Sequence, residues 1–432
     1  MRFCSTQERR LSVSFADAVR RGVPDDGGLF MPADIPAVPR NVLDSMARLT
    51  FREIALEICR LFLGGELPPA AIDEIVTGAF TFDAPVRRLD RQTAVLELFH
   101  GPTFAFKDFG ARFMARTVSR IRSGAEEHTV LVATSGDTGS AVASGFHGLA
   151  GVSVVLLYPS GRVSPLQERQ LTALRGNVVA LEIGGTFDDC QRLVRQAFRD
   201  RELSSRRQLT SANSINVARL LPQTLYYFNA VARLKDEGRD IVFSVPSGNL
   251  GNLTGGLIAW KMGLRAAHFI AAANANDVFT RYLASGTYQP GEARRTLSNA
   301  MDVGDPGNLP RIRALFGDDL AALRSTVSST SWSDEETLRA IGEAYRRFGY
   351  VLDPHGAVAF AALEQYQSGR RGGGTGVVLA TAHPAKFLEA YDETLRAAIE
   401  VPPRLREIME SEIHSVRLPA DFSALKSYLM ES

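Results

Sequence analysis

Chemistry is most concentrated in one stretch of this sequence, Glu97-Leu98-Phe99-His100-Gly101-Pro102-Thr103-Phe104-Ala105-Phe106-Lys107-Asp108-Phe109. Phe104, Phe106 and Phe109 surround Lys107 with apolar surface. Burial disfavours an ammonium and lowers its pKa, and the neutral amine is a nucleophile that condenses with an aldehyde. Taken alone, the stretch is better read as a surface lysine laying its methylenes over a core helix. Loops further along the chain change that balance.

The segment Ser247-Gly248-Asn249-Leu250-Gly251-Asn252 falls between a strand-like run, Ile241 to Val245, and a helical pattern, Asn252 to Met262. Glycines let backbone amides turn toward a ligand, and a helix start adds partial positive charge, so this loop suits a phosphate. It has neither the Gly-Lys-Ser/Thr ending of a Walker loop nor the Rossmann glycine spacing. A second loop, Thr134-Ser135-Gly136-Asp137-Thr138-Gly139, could receive a carboxylate or another phosphate by the same physics. Asn213 and Ser214 with Arg219 gather amide, hydroxyl and guanidinium donors, and an arginine fork matches two phosphate oxygens. Thr381-Ala382-His383-Pro384-Ala385-Lys386 ends a further strand in a helix-start turn. Each loop by itself is also an ordinary turn or cap. One cofactor would use them all if it bears an aldehyde and a phosphate and needs a lysine. That cofactor is pyridoxal 5′-phosphate.

Such loops need a scaffold that brings them to one side. From about Thr129 the chain alternates β-branched runs with amphipathic helical patterns: strands at 129–133, 152–158, 178–183, 241–245, 268–272 and 377–381, with helices between. This alternation predicts an α/β fold with two parallel-sheet regions covered by helices. Ligands of such sheets sit at the C-terminal ends of the strands, where these loops lie. Residues 1–85 mix short helical patterns with turns and read as an N-terminal helical subdomain.

The balance of 49 basic and 48 acidic residues provides no overall field for nucleic acid or anionic membrane. Cys4, Cys59 and Cys190 are too far apart for a zinc or disulfide framework. Met1 to Phe15 lacks the apolar core of a signal peptide, and the longest strongly apolar run, Val152 to Tyr158, is too short to cross a bilayer. A cytoplasmic protein without a metal is expected.

Seven stretches resemble the threonine synthase family, in its longer bacterial and fungal branch, and they cover nearly the whole chain in order. They are Asp26 to Pro32, His100 to Phe109, Ser135 to Gly139, Ser211 to Arg219, Ser247 to Asn252, Leu297-Ser298-Asn299-Ala300-Met301-Asp302, and Thr381 to Phe387. Leu250 departs from the usual phenylalanine, and Gly356 from a larger residue. The resemblance implies fold type II of the pyridoxal-phosphate enzymes, the tryptophan-synthase-β-like class, and a carbon–oxygen lyase acting on phosphate. The expected domains are 1–85 at the N-terminus, a large cofactor domain from 86–114 and 202–432 with a loop-rich insertion at about 284–331, and a small mobile domain over 115–201. By resemblance Lys107 holds the cofactor covalently, and Gly248, Asn249, Leu250, Gly251 and Asn252 cradle its phosphate. Thr381 meets its ring nitrogen, where a hydroxyl moderates electron withdrawal. Ser135, Asp137 and Thr138 line the substrate side, and Asn213, Ser214 and Arg219 hold the phosphate of O-phospho-L-homoserine, which would be turned into L-threonine. A monomer is implied. His100 and His383 are expected to be structural, and His355 and Gly356 carry no assigned role. A relative yielding 2-oxobutanoate from the same substrate is the nearest rival, and a non-catalytic cofactor binder is disfavoured by the presence of Lys107.

Overall fold

The structure, a computed structural model, describes residues 1–121, 127–134, 136–234, 240–369 and 374–431. Its strands are β1 (Phe3–Ser5), β2 (Phe30–Pro32), β3 (Val86–Arg88), β4 (Thr93–Glu97), β5 (His128–Ala133), β6 (Val152–Pro159) and β7 (Val178–Gly184). They continue with β8 (Gln208–Ser211), β9 (Ile241–Pro246), β10 (His268–Ala273), β11 (Val327–Ser331), β12 (Thr375–Ala380) and β13 (Val416–Pro419). A six-stranded sheet runs β11-β10-β9-β12-β4-β3, and a five-stranded sheet runs β13-β7-β6-β5-β8. Within these two sheets every pairing is parallel except β3 with β4 at the edge of the larger one, and β1 and β2 form a separate antiparallel pair. Strands β4, β9, β10 and β12 are buried along their whole length. Helices cover both faces of such strands, which is why they read as continuous apolar runs and not as alternation.

The alternation predicted from sequence matches the strands to within two residues. Two departures concern the expected domain boundaries. β8 and β13, both assigned by sequence to the larger region, pair with the smaller sheet. The Phe422–Glu431 helix follows, and its Leu425 and Leu429 join Leu131, Leu157 and Leu181 in that sheet's core. Three of the four residues of β13 are exposed, so it has no apolar signature to betray it. The expected insertion is a loop only in part. It also holds helices Leu309–Phe316 and Leu320–Thr326 and the edge strand β11.

An N-terminal layer steadies the lysine. The Phe51–Leu63 helix starts in a reciprocal Thr50–Glu53 capping box, which satisfies two otherwise orphaned donors. Its Phe51 ring meets Phe109 edge-on at 5.5 Å, and Phe82 and Tyr226 close around Phe109 at 4.9 and 5.3 Å. Phe109 is fully buried two residues beyond Lys107, so the start of the Lys107–Ile121 helix is pinned by aromatic packing. Among the described residues no helix is long and apolar enough to cross a membrane.

Replacing Phe109 by alanine is expected to cost about 3–5 kcal/mol, measured by denaturant unfolding of the cofactor-free protein. A loss below about 1 kcal/mol would mean that the ring cluster does not anchor the helix.

Candidate active site

Lys107 opens a helix and is held from the other side by the end of β12. The Phe106 amide donates to the Thr381 carbonyl at 2.9 Å, and the His383 amide to the Phe104 carbonyl at 3.0 Å, around an Ala105–Ala382 bridge. Phe104 adopts φ 59° to make the turn, a conformation few bulky residues accept. Lysine and Thr381 are thereby fixed to each other by backbone. The Lys107 ammonium lies 4.5 Å from the centre of the Phe106 ring. Burial pushes the amine down to about 8, with Asp137 opposing and Arg219 and Lys386 reinforcing the shift. Its helix-start position disfavours a cation as well.

Two loops of donors flank it. After β9, Leu250 takes φ 60° and caps the Gly251–Lys261 helix without any side-chain bond, so the first amides of that helix are left for a ligand. Gly248 has no room for a side chain, since a Cβ there would lie 2.6 Å from the Met301 Cα. Asn252 accepts from the hydroxyls of Tyr226 and Tyr227 at 2.7 and 2.8 Å. The second loop follows β8. Arg219 is buried against Gly110, where a Cβ would sit 2.9 Å from its Nε, and it donates through Nη1 to the Ala212 carbonyl. Burial lowers the guanidinium to about 10, with Asp108 opposing. Asn213 Nδ2 donates to the Ala133 carbonyl at 3.2 Å. One hydrogen bond joins the loops: Asn249 Nδ2 donates to Ser214 Oγ at 2.7 Å.

These residues line one cavity of about 440 Å³ that includes Lys107, Gly248, Asn249, Leu250, Gly251, Asn252, Thr381, Thr138, Asn213, Ser214 and Arg219. Asp137 is not among its lining residues. Its carboxylate is bound to the buried Lys386 ammonium at 2.6 Å, and Lys386 also donates to the Thr103 carbonyl at 3.2 Å. Burial opposes the Asp137 charge, yet Lys386 outweighs it and holds the carboxyl below its usual range. Ser135 lies outside the described residues.

Two unpaired donors, Arg219 Nε and Asn252 Nδ2, fit an anion, and two unpaired acceptors, Asn213 Oδ1 and Asn299 Oδ1, fit polar groups of the same ligand. Asn213 Oδ1, Arg219 Nε, Asn252 Nδ2 and Asn299 Oδ1 are buried polar atoms without a hydrogen-bond partner, and all four residues line this cavity. Native proteins leave few such atoms unpaired outside ligand sites. Among the described residues no His/Cys/Asp/Glu group could hold a metal ion.

Comparison with known proteins agrees with this chemistry. Residues 82–382 match the family profile described as pyridoxal-phosphate dependent enzyme, residues 2–80 that of the threonine synthase N terminus, and residues 356–429 that of the threonine synthase C-terminal region. The chain is 45% identical to threonine synthase of Escherichia coli K12 over 432 residues, covering 100% of this chain and 99% of the relative. It is 46% identical to the Haemophilus influenzae threonine synthase, covering 97% of each. The chain belongs to the threonine synthase family. Among solved structures, Escherichia coli threonine synthase superposes with a TM-score of 0.92 at 44% identity, covering 100% of both chains. A pyridoxal-phosphate-bound threonine synthase from Brucella melitensis gives 0.91 at 34% identity, covering 100% of this chain and 99% of that one.

Within this threonine synthase fold the histidines separate by environment. His100 pairs with Glu97 at 2.7 Å, and Glu97 also accepts from Tyr350 at 2.8 Å. His383 is pushed down to about 4 by burial and is neutral. His355, unassigned from sequence, lines the cavity. Its Nε2 accepts from the Ala300 amide at 3.1 Å and its Nδ1 lies 3.0 Å from Asp353 Oδ1, so the ring proton sits on Nδ1. It holds the Asn299–Met301 turn against the site. That turn was visible in the sequence as part of the Leu297–Asp302 motif, but no residue type in it announced a cavity wall. Asp188, Gln191 and Arg195 of the Phe187–Arg199 helix complete the rim, and only their helical spacing could have suggested a shared face.

Acylation of Lys107 in the cofactor-free protein should follow a pH profile with a midpoint near about 8, with a Lys107→Ala variant as blank. The neutral amine gains population as pH rises through that value. A midpoint at the ordinary lysine value would show that the amine is not desolvated. Lys386→Met should cost about 3–5 kcal/mol in unfolding free energy, because it strands the Asp137 carboxylate in the interior.

Proposed function

We propose that this cavity converts O-phospho-L-homoserine and water to L-threonine and inorganic phosphate, with pyridoxal 5′-phosphate carried on Lys107. The observation that bears most on this reading is the presence of two anion cradles, joined by the Asn249–Ser214 bond, on either side of one desolvated amine. One phosphate belongs to a cofactor and the other to a substrate. A single-phosphate reaction would leave the Asn213–Arg219 donors without purpose.

The amides of Gly248 to Gly251 and the side chain of Asn252 would hold the cofactor phosphate, and the Thr381 hydroxyl would serve its ring nitrogen. The cofactor, when bound, supplies a conjugated electron sink for carbanions next to the substrate nitrogen. Asn213, Ser214 and Arg219 bind the substrate phosphate and help it leave as a dianion. Thr138 and the amides at the start of the Asp137–Phe146 helix receive the substrate carboxylate, in a loop that Lys386 fixes through Asp137 and that includes Ser135. The Lys107 amine would take protons from the substrate carbons and return them, because an amine near 8 exchanges protons readily at neutral pH.

The smaller sheet with its helices, centred on residues 115–201, is the unit that closes over the substrate, while the larger sheet and residues 1–85 stay fixed. The proposed working unit is the monomer that the family resemblance implies. The three buried, unpaired cysteines suit the cytoplasm, where thiols stay reduced.

Turnover of O-phospho-L-homoserine should yield equal amounts of threonine and phosphate. Lys107→Ala should abolish both the product and the cofactor absorption band. Arg219→Ala should raise KM by about 10–100-fold without loss of the band. Phosphate release accompanied by 2-oxobutanoate would keep the site assignments and refute the product. A protein that keeps its band but releases no phosphate would refute the substrate.

A further inference from the structure

Arg311 lies on the Leu309–Phe316 helix, fully buried and outside the cavity. Its guanidinium makes five hydrogen bonds, all to neutral oxygens. Nε and Nη2 donate to the Phe30 carbonyl at 3.2 and 3.0 Å, and Nη2 donates to the Ile215 carbonyl at 2.5 Å. Nη1 donates to the Ser214 carbonyl at 3.0 Å and to Asn308 Oδ1 at 2.7 Å. That accounts for every donor an arginine has. Among the described residues no carboxylate pairs with it. A buried cation without a counter-ion is costly unless something offsets it.

Its partners lead to both cradles. Ser214 and Ile215 belong to the Asn213–Arg219 loop. Asn308, fixed by Arg311, donates from Nδ2 to the Asn249 carbonyl at 3.0 Å. In a trans peptide the carbonyl and the following amide point in opposite directions. Holding the Asn249 carbonyl against Asn308 therefore turns the Leu250 amide away from Asn308, and Leu250 lines the cavity. The same logic applies to the Ser214–Ile215 peptide. Phe30, in β2, brings in the N-terminal layer.

We propose that Arg311 is the positioning residue for both anion cradles: one buried guanidinium locks the Ser247–Asn252 loop, the Asn213–Arg219 loop and β2 together, and the two bound phosphates balance its charge. The proposal rests on reading those loops as phosphate cradles. A lysine retains the charge but has three donors, too few for these contacts.

The test compares wild type, Arg311→Lys and Arg311→Met for binding of pyridoxal 5′-phosphate and of pyridoxal, followed by the Lys107 absorption band, and for KM and kcat with O-phospho-L-homoserine. Arg311→Lys should weaken the phosphorylated cofactor by about tenfold or more and raise KM by a similar factor, while pyridoxal binding stays within about twofold and kcat falls less than KM rises. Arg311→Met should be worse on the same two measures. If it does not fold, Arg311→Lys decides alone. Equal loss for both cofactors, tracking the melting temperature with KM unchanged, would make Arg311 a scaffold residue only and overturn the proposal. A wild type that binds the two cofactors equally would instead overturn the cradle reading, and this proposal with it.

Discussion

The structure depends on keeping positive charge in a place where water cannot reach it. Arg219, Arg311 and Lys386 are withdrawn from solvent, Lys107 is half-buried at the cavity wall, and Asp108 and Asp137 are among the carboxylates buried with them. Asp137 is taken by Lys386. Asp108 is itself pushed up to about 6 by burial, although Thr103 donates to it from both amide and hydroxyl at 2.8 and 2.9 Å. Burial of these groups, with the helix-start amides around the cavity, has two outcomes. Lys107 loses its proton more easily, and any dianion that enters is strongly held.

Everything else serves to make that arrangement affordable. Charges without a carboxylate partner are solvated by backbone, Arg311 by carbonyls of two separate segments and Arg219 by Ala212, while Lys386 adds the Thr103 carbonyl to its bond with Asp137. Parallel sheets provide such backbone, because the loops leaving their C-terminal ends carry free amides at helix starts. The Ala105–Ala382 bridge then fixes the lysine to the end of the central strand of the larger sheet, so the amine and the donor loops share one rigid base. Strain at Phe104 and Leu250, both in left-handed backbone, is tolerated where the surrounding contacts over-determine the chain.

The sequence disclosed what was local. Lys107 was legible because three phenylalanines surround it, and the Gly248–Asn252 loop because glycines sit between a strand and a helix. The alternation of strand and helix was legible because strands buried on both faces read as solid apolar runs. What stayed hidden depended on distant contacts. Asp137 was expected among the substrate contacts from its loop, but its partner, Lys386, is far away in the chain. Arg311 looks like any arginine on a short helix, and nothing nearby marks it as fully buried. His355 acquires a role only when the Ala300 amide reaches it. β13 has too little apolar content to be read as a strand at all.

The return of the chain to the smaller sheet has a consequence for biosynthesis. β5, β6 and β7 leave the ribosome early, but the edge of β7 is paired by β13, and the core beneath is sealed by Leu425 and Leu429, which follow far later in the sequence. While synthesis is under way that edge and its apolar face stay open, offering unpaired backbone to any neighbouring strand. The larger sheet has all its strands by Ala380 and can settle first. Completion of the smaller sheet thus waits for residues 416–431, so a nascent chain can assemble its lysine and the donor loops of the larger sheet before the smaller sheet is sealed.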